Sequence, residues 1–356
     1  MNQGNADRTA RREAAGSTGV IGTVGGLRED KQVFQGVAAL VGVEIKLAKN
    51  GSRYASGEMC DTTGSRYFKM FFKSFGGERL DDGVYRVSGI FEQWNGSWSV
   101  RVTSLAPRPD LDVDDYRKRR YGDGSDLARQ ADEFLKSRLD DRGRALVYLM
   151  LHGDGGAVPD ISEAFAREAA AVRHHDATPN GLLAHSLKTA RIADGIMGEA
   201  LYRWPETRVD RTLVVAGAYL HDIGKVAEYS HGSMSDEGRM LMHTTIGVMR
   251  AQALHGKLVQ VLGMVLDDDG RPKADADRHI AVDRGKGEES FERLVAILAQ
   301  HHDEYGERAR CVEARLVHLA DTLEAQCESV CEAFGPDAQW QGEGVVSRPV
   351  EGQWLA

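Results

Sequence analysis

The chain has 356 residues, of which 42% are hydrophobic and 28% charged, with a formal net charge of -9. That length allows about two domains, and no apolar run approaches the roughly 18 residues that a membrane span requires. The four cysteines (Cys60, Cys311, Cys327, Cys331) are too few and too scattered for a disulfide framework. Membrane-spanning, collagen-like and disulfide-scaffold classes are therefore excluded, and a reducing, cytoplasmic setting is expected.

Residues 1–32 are rich in Gly, Arg, Ala and Thr without periodicity, which predicts a disordered tail. Arg8, Arg11 and Arg12 precede no apolar stretch, so no secretory signal is expected.

Residues 33–108 read as strands. A long, partly alternating run at 37–47 is followed by a turn at Asn50-Gly51 and a short strand at 54–60. After Asp61-Thr-Thr-Gly64 comes the aromatic run Arg66-Tyr-Phe-Lys-Met-Phe-Phe72. Asp82-Gly83 introduces 84–91, and Asn95-Gly96, between Trp94 and Trp98, is the strongest hairpin signal in the chain. The last strand covers 97–105. Five strands in so short a span, with glycine at the bends, predict a five-stranded OB-like β-barrel.

Charge is uneven along the chain. Residues 33–108 carry ten Lys and Arg against seven Asp and Glu, and the acidic excess lies beyond them. Contacts to phosphate need local positive charge, not a positive total. Single strands are held by base stacking on aromatics beside such charge. Alternation sends about half of the barrel aromatics inward. Phe68, Lys69, Trp94 and Arg101 are expected to face a bound strand.

A charged linker is expected at 109–124 and an all-α domain at 125–334. Leu182, Leu183, Leu187, Ala190, Ile192, Ile196, Met197 and Leu201 form an apolar stripe near helical spacing. Residues 213–220 are a buried apolar run, and helical patterns recur near 237–263, 289–302 and 310–333. Between them, 267–290 reads as a long polar loop. Residues 335–356 read as an irregular C-terminal tail.

The segment Tyr219-Leu-His-Asp-Ile-Gly-Lys-Val226 carries the chemistry. Adjacent helical residues point about 100° apart and cannot easily share a ligand. They can converge if the helix ends there, and Gly224 is expected to end it. His185 lies upstream in Gly181-Leu-Leu-Ala-His-Ser-Leu187. Asp321 lies downstream in Val317-His-Leu-Ala-Asp-Thr-Leu323. His243, the pair His301-His302 and the pair His174-His175 are further candidates. His231, His255 and His318 read as structural. Imidazole and carboxylate ligands suit first-row metals such as Mn, Fe, Co, Ni or Zn.

The order His185, His221-Asp222, Asp321 on successive helices resembles the HD superfamily of metal-dependent phosphohydrolases. With His243 and His301 added, the pattern resembles the members that hold two metals. That resemblance implies a first metal on His185, His221, Asp222 and Asp321. It implies a second on Asp222, His243 and His301, with Asp222 bridging. Mn²⁺ is favoured, and Mg²⁺ also remains open. Lys225 would face the phosphoryl charge, or serves simply as a cation at a helix C-terminus. His302 reads as a substitute ligand for His301 or as a substrate contact. His175 reads as a substrate contact or an ordinary loop residue.

The barrel and the helical domain together resemble the YhaM-type 3′→5′ exoribonucleases. The shared points are the Trp94-Asn-Gly hairpin, His174-His175 with Gly181-Leu-Leu-Ala-His185, Leu220-His-Asp-Ile-Gly-Lys225, His243, His301-His302 and Asp321. The family implies metal-dependent digestion of single-stranded RNA, and often DNA, from the 3′ end, with homo-oligomerisation, while the lack of a long apolar run predicts no membrane partner. The 267–290 stretch and both tails depart from it. Similar His-His…Gly-Leu-Leu-x-His segments in relaxase-like proteins leave RNA and DNA both open. Two other readings stand beside it. One is an HD phosphohydrolase of a small nucleotide or cyclic dinucleotide, against which Glu307-Arg308-Ala309 lacks the Gly-Tyr-Pro of the HD-GYP enzymes. The other is a non-catalytic single-strand-binding protein.

Overall fold

The computed structural model describes residues 20–72, 79–94, 97–171, 176–198, 209–230, 233–302 and 311–334. The chain divides into two compact units, with the boundary between Lys118 and Arg119.

The first unit is built from strands β1 (Val20–Ile21), β2 (Val33–Leu47), β3 (Arg53–Asp61), β4 (Gly64–Phe71), β5 (Gly83–Trp94) and β6 (Ser97–Pro107). Strands β2, β3, β4, β6 and β5 pair in that order, and β5 returns to β2, which closes a five-stranded barrel. Within it only β4 and β6 run parallel. One strand, β2, serves two neighbours: 33–40 pair with β5 and 39–47 with β3. The register breaks at a bulge between Val41 and Glu44. There Gly42 adopts φ +61°, a conformation that costs a side chain free energy. Asp82 secures the bulge by accepting from Gly42 N–H (2.9 Å) and Val43 N–H (2.8 Å).

Alternation along these strands fills the barrel with Phe34, Leu40, Met59, Phe68, Val87 and Val100. Burying a phenylalanine of this kind stabilises by about 1.5–3 kcal/mol. The expectation of a disordered 1–32 is corrected over 20–32. Val24 and Leu27 are fully buried in the barrel core, β1 pairs parallel with β2, and Val24 N–H donates to Asp61 at 2.7 Å. Four apolar residues spaced among glycines show no period, so only contacts distant in sequence order them. Residues 1–19 lie outside the described residues.

The expected linker is likewise not free over its first part. Leu111, Val113 and Tyr116 pack on Ala39, Val41, Cys60 and Val84, an apolar layer on the barrel's outside. The Asn95-Gly96 turn lies outside the described residues, although Trp94 and Ser97 pair across it.

The second unit is helical. It contains α1 (Ser125–Arg138), α2 (Asp141–His152), α3 (Ser162–Arg167), α4 (Gly181–Gly198), α5 (Arg211–Leu220), α6 (Lys225–Glu228) and α7 (Asp236–Met240). It continues with α8 (His243–Ala253), α9 (His255–Leu262), α10 (Arg284–Gln300) and α11 (Val312–Phe334). Asp140, Asp210 and Asp283 cap α2, α5 and α10 by accepting from Gly143, Leu213 and Lys286 N–H. Such caps contribute about 1 kcal/mol each. Every residue from Leu213 to Leu220 is buried, so α5 is the central helix, with α4, α10 and α11 packed on it. Leu201, at the end of the expected stripe, lies outside the described residues. No described helix is long and apolar enough to cross a membrane.

The expected loop at 267–290 is corrected too. Bridges join Met264 to Val282, Leu266 to Pro272 and Ala274 to Ile280, and α10 begins at Arg284. Asp267 accepts from Asp269 and Arg271 N–H, and Asp275 from Asp277 and His279 N–H. These self-contained aspartate turns leave no hydrophobic period to read.

Candidate metal centre

The helices deliver their histidines at or near their ends. His185 sits in the second turn of α4. His221 follows the last residue of α5, His243 opens α8, and His301 and His302 follow α10. Asp321 lies within α11. His185, His221, Asp222, His243, His301 and Asp321 are all buried.

The 221–224 turn departs from expectation. The helix stops at Leu220, and Gly224 has ordinary helical dihedrals (φ -68°, ψ -18°). Its role is close approach. A Cβ at Gly224 would stand 2.0 Å from the carbonyl oxygen of His243. Glycine therefore lets the His-Asp turn lie directly against the start of α8.

Asp222 occupies the middle. Its Oδ2 lies 3.3 Å from Nε2 of His185 and 3.3 Å from Nε2 of His221. Its Oδ1 lies 3.3 Å from Nε2 of His243 and 3.6 Å from Nε2 of His301. Asp321 Oδ1 closes the first side, 3.2 Å from His185 Nε2 and 3.7 Å from His221 Nε2. His302 joins the second side, with Nε2 2.8 Å from His243 Nε2. Two groups result, His185–His221–Asp321 and Asp222–His243–His301–His302, each with ligand atoms within 4.8 Å of one another.

The outer ring nitrogens explain why every Nε2 turns inward. Nδ1 of His185 lies 2.7 Å from Glu324 Oε2, and Nδ1 of His243 lies 2.9 Å from Glu228 Oε2. Nδ1 of His221 lies 2.8 Å from the Ala218 carbonyl, and Nδ1 of His301 lies 3.1 Å from the Ile297 carbonyl. Each partner is an acceptor, so each Nδ1 carries the proton and donates, leaving Nε2 as the lone-pair donor. Each half thus has one imidazole held by a carboxylate and one by a backbone carbonyl.

These residues fit divalent cations. Oδ1 of Asp222 and Nε2 of His301 are buried without a hydrogen-bond partner, which is a costly condition that a cation would relieve. Without one, neighbouring charges compete. Burial opposes a charge on His221, but Asp222 and Asp321 outweigh it and raise its pKa to about 9. His185 is raised in the same way by Asp222, Asp321 and Glu324. Burial opposes ionisation of Asp222, yet His221, Lys225 and His185 hold it well below the usual carboxylate range. Burial and the adjacent His301 push His302 down to about 3. Lys225 places Nζ 2.6 Å from Asp222 Oδ2.

Asp176, His185 and Glu324 form a third group of ligand atoms. The Lys188 ammonium already stands among them, 2.6 Å from Asp176 Oδ2 and 2.5 Å from Glu324 Oε1. Sequence reasoning missed Glu228, Glu324 and Lys188. Spacing held a signal for two of them: Lys188 is one helical turn beyond His185, and Glu324 one turn beyond Asp321. Glu228 reaches His243 only through the fold. His318, read as structural, donates from Nδ1 to the His301 carbonyl at 2.6 Å.

Residues 182–326 match the family model of the HD domain. The match lies within the helical unit. The chain is also similar to the 3′-5′ exoribonuclease YhaM of Halalkalibacterium halodurans, 23% identical over 299 residues, covering 81% of this chain and 82% of that protein. The YhaM of Oceanobacillus iheyensis is 23% identical over 266 residues, covering 72% of this chain and 71% of that protein. A replication protein A heterotrimer bound to ssDNA aligns with 25% of this chain and 63% of that chain, at 16% identity and a TM-score of 0.18. The HD domain and the YhaM relatives support a hydrolase of the nuclease or phosphohydrolase kind, and HD domains depend on metal.

On the barrel, one expected contact residue is corrected. Phe68 is fully buried in the core, because its position on β4 points inward with Met70. Tyr67, Lys69 and Phe71 alternate with these two and point outward. Phe71 is 37% exposed, and its ring lies 5.6 Å from that of Tyr54 on β3. Lys69 Nζ stands 5.8 Å from the Tyr67 ring. Arg101 is engaged by Glu92 at 2.9 Å. The side chain of Trp94 and the whole of His175 lie outside the described residues.

Proposed function

We propose that this protein is a metal-dependent 3′→5′ exonuclease of single-stranded RNA or DNA. The observation that carries the reading is Asp222, whose two oxygens face two different imidazole pairs while every Nε2 points inward. His185, His221, Asp222 and Asp321 would hold one divalent cation. Asp222, His243 and His301 would hold a second, with His302 beside them. Manganese suits this nitrogen and oxygen set, as do iron, cobalt, nickel and zinc. Two such cations supply Lewis acidity toward a phosphodiester and activation of the attacking water.

The chain's own residues do the remaining work. The Nδ1 acceptors fix each imidazole in one tautomer and one orientation. Burial keeps bulk water from weakening the electrostatics of the centre. Lys225 keeps a positive charge beside Asp222, where it favours approach of the phosphodiester and offsets charge that develops on it. His302, partly exposed and held neutral, is placed to meet the substrate or complete the second ligand set. On the barrel, Tyr54, Tyr67 and Phe71 offer stacking surfaces, with Lys46 and Lys69 beside them, in keeping with capture of a single strand.

The deciding experiment is digestion of 5′-labelled and 3′-labelled single-stranded RNA and DNA with Mn²⁺, using Asp222→Ala as control. A 5′-labelled ladder that shortens from the 3′ end, absent in the variant, supports the reading and gives the sugar preference. Unchanged cleavage by Asp222→Ala overturns it. Intact polymers with metals bound would transfer the assignment to a small nucleotide substrate.

A further inference from the structure

Behind His185 lies a charged network that runs away from the metal-facing Nε2. Glu324, which accepts from His185 Nδ1, is 3% exposed. Its other oxygen lies 2.5 Å from Lys188 Nζ. The same ammonium reaches Asp176 Oδ2 at 2.6 Å and Glu328 Oε2 at 2.8 Å. Asp176 is fully buried and accepts from the Tyr121 hydroxyl. Glu328 also pairs with Arg120.

Two helices build this arrangement in step. On α4, Lys188 follows His185 by one turn. On α11, Glu324 and Glu328 follow Asp321 by one and two turns. Each helix therefore presents a metal-site residue and, directly behind it, the groups that hold its neighbour.

We propose that Glu324 and Lys188 are positioning residues for His185, an inference that rests on the two-metal reading. Glu324 fixes the Nδ1–H tautomer and the ring plane of His185. Lys188 fixes Glu324 in turn. A carboxylate this buried would be costly without a cation, and the three N–H donors of Lys188 are divided among three carboxylates on two segments. The ammonium thereby holds the Glu324 oxygens in one rotamer. His243 has a different support, because Glu228 is oriented by the His243 backbone N–H at 3.0 Å. Loss of Lys188 or Glu324 should therefore affect one metal and spare the other.

The test is Co²⁺ binding to the full-length protein, followed by calorimetry and by the visible absorption of the bound ion. The unsubstituted protein reports on the two-metal reading alone: fewer than two equivalents there sinks that reading whatever the variants do. With two equivalents in hand, Glu324→Gln should weaken one of them by roughly tenfold to a hundredfold and leave the other unchanged. Lys188→Met should weaken the same equivalent, and Lys188→Arg should restore much of it. Unaltered affinity at both equivalents, with only a lower unfolding temperature, would make the network structural and overturn the proposal. If Glu324→Gln does not fold, the Lys188→Met and Lys188→Arg pair decides on the same readout.

Discussion

Glu228 grips His243 twice, with Oε1 accepting the backbone N–H at 3.0 Å and Oε2 facing Nδ1 at 2.9 Å. One carboxylate therefore fixes both the start of α8 and the ring that opens it. Burial works against the charge on Glu228, but the contact with His243 outweighs it and holds its pKa below the usual range. Substituting Glu228→Ala should reduce metal affinity or activity by roughly tenfold to a hundredfold. Titration of the variant with Mn²⁺ checks this, and wild-type affinity with wild-type turnover would remove Glu228 from the centre.

Metal loading should expel protons. In the metal-free protein, His185 and His221 hold protons because Asp222 and Asp321 outweigh burial, with Glu324 adding to this at His185. A cation requires neutral imidazoles. Calorimetry at pH 7 in buffers of different ionisation enthalpy should show net proton release, and a heat independent of buffer would contradict it. The same linkage acts on stability. The folded pKa of His221, about 9, exceeds the ordinary value of about 6.5. Its contribution is thus complete below about pH 6.5 and is lost as pH rises through about 9. The melting temperature of the metal-free protein should fall across that window, and that of the loaded protein should not follow it.

The barrel should separate binding from stability. Phe68→Ala removes a buried ring and should cost about 3–5 kcal/mol, seen as a lower denaturant midpoint. Phe71→Ala and Lys69→Ala alter the outer face and should leave that midpoint within about 0.5 kcal/mol. Under the proposed function these two variants should weaken single-strand binding, the lysine with a reduced salt slope. Wild-type affinity in both would move the strand contact elsewhere.

Gly224→Ala should be poorly tolerated, although the backbone there is ordinary. The added Cβ meets the His243 carbonyl at 2.0 Å, so the turn and α8 must separate. Lower thermal stability and loss of the second metal equivalent are expected together. A variant that melts and binds as the unsubstituted protein does would show that the two segments can part without cost.

Much of this molecule could be read from local sequence. Partial alternation and turn signals such as Asn50-Gly51 announced the five strands of the barrel, because sheet burial has a period of two. The order His185, His221-Asp222, His243, His301, Asp321, read through its resemblance to the HD superfamily, pointed to side chains that the fold does bring together. What carried no local signal stayed hidden. Val24 and Leu27 gain their order from the barrel core, and the turns of Asp267 and Asp275 are polar and self-contained.

The sequence by itself determined which residue types were available and on which elements they lay. Only the tertiary structure decided how they face one another. It set Phe68 inward and Tyr67, Lys69 and Phe71 outward, since the phase of alternation depends on strand pairing across the barrel. It also gave Gly224 its role, turned the two oxygens of Asp222 to opposite pairs, and placed Glu228, Glu324 and Lys188 behind the imidazoles. Those relationships join residues up to 139 positions apart, and the physical reason is that burial, hydrogen bonding and charge act through distance in space.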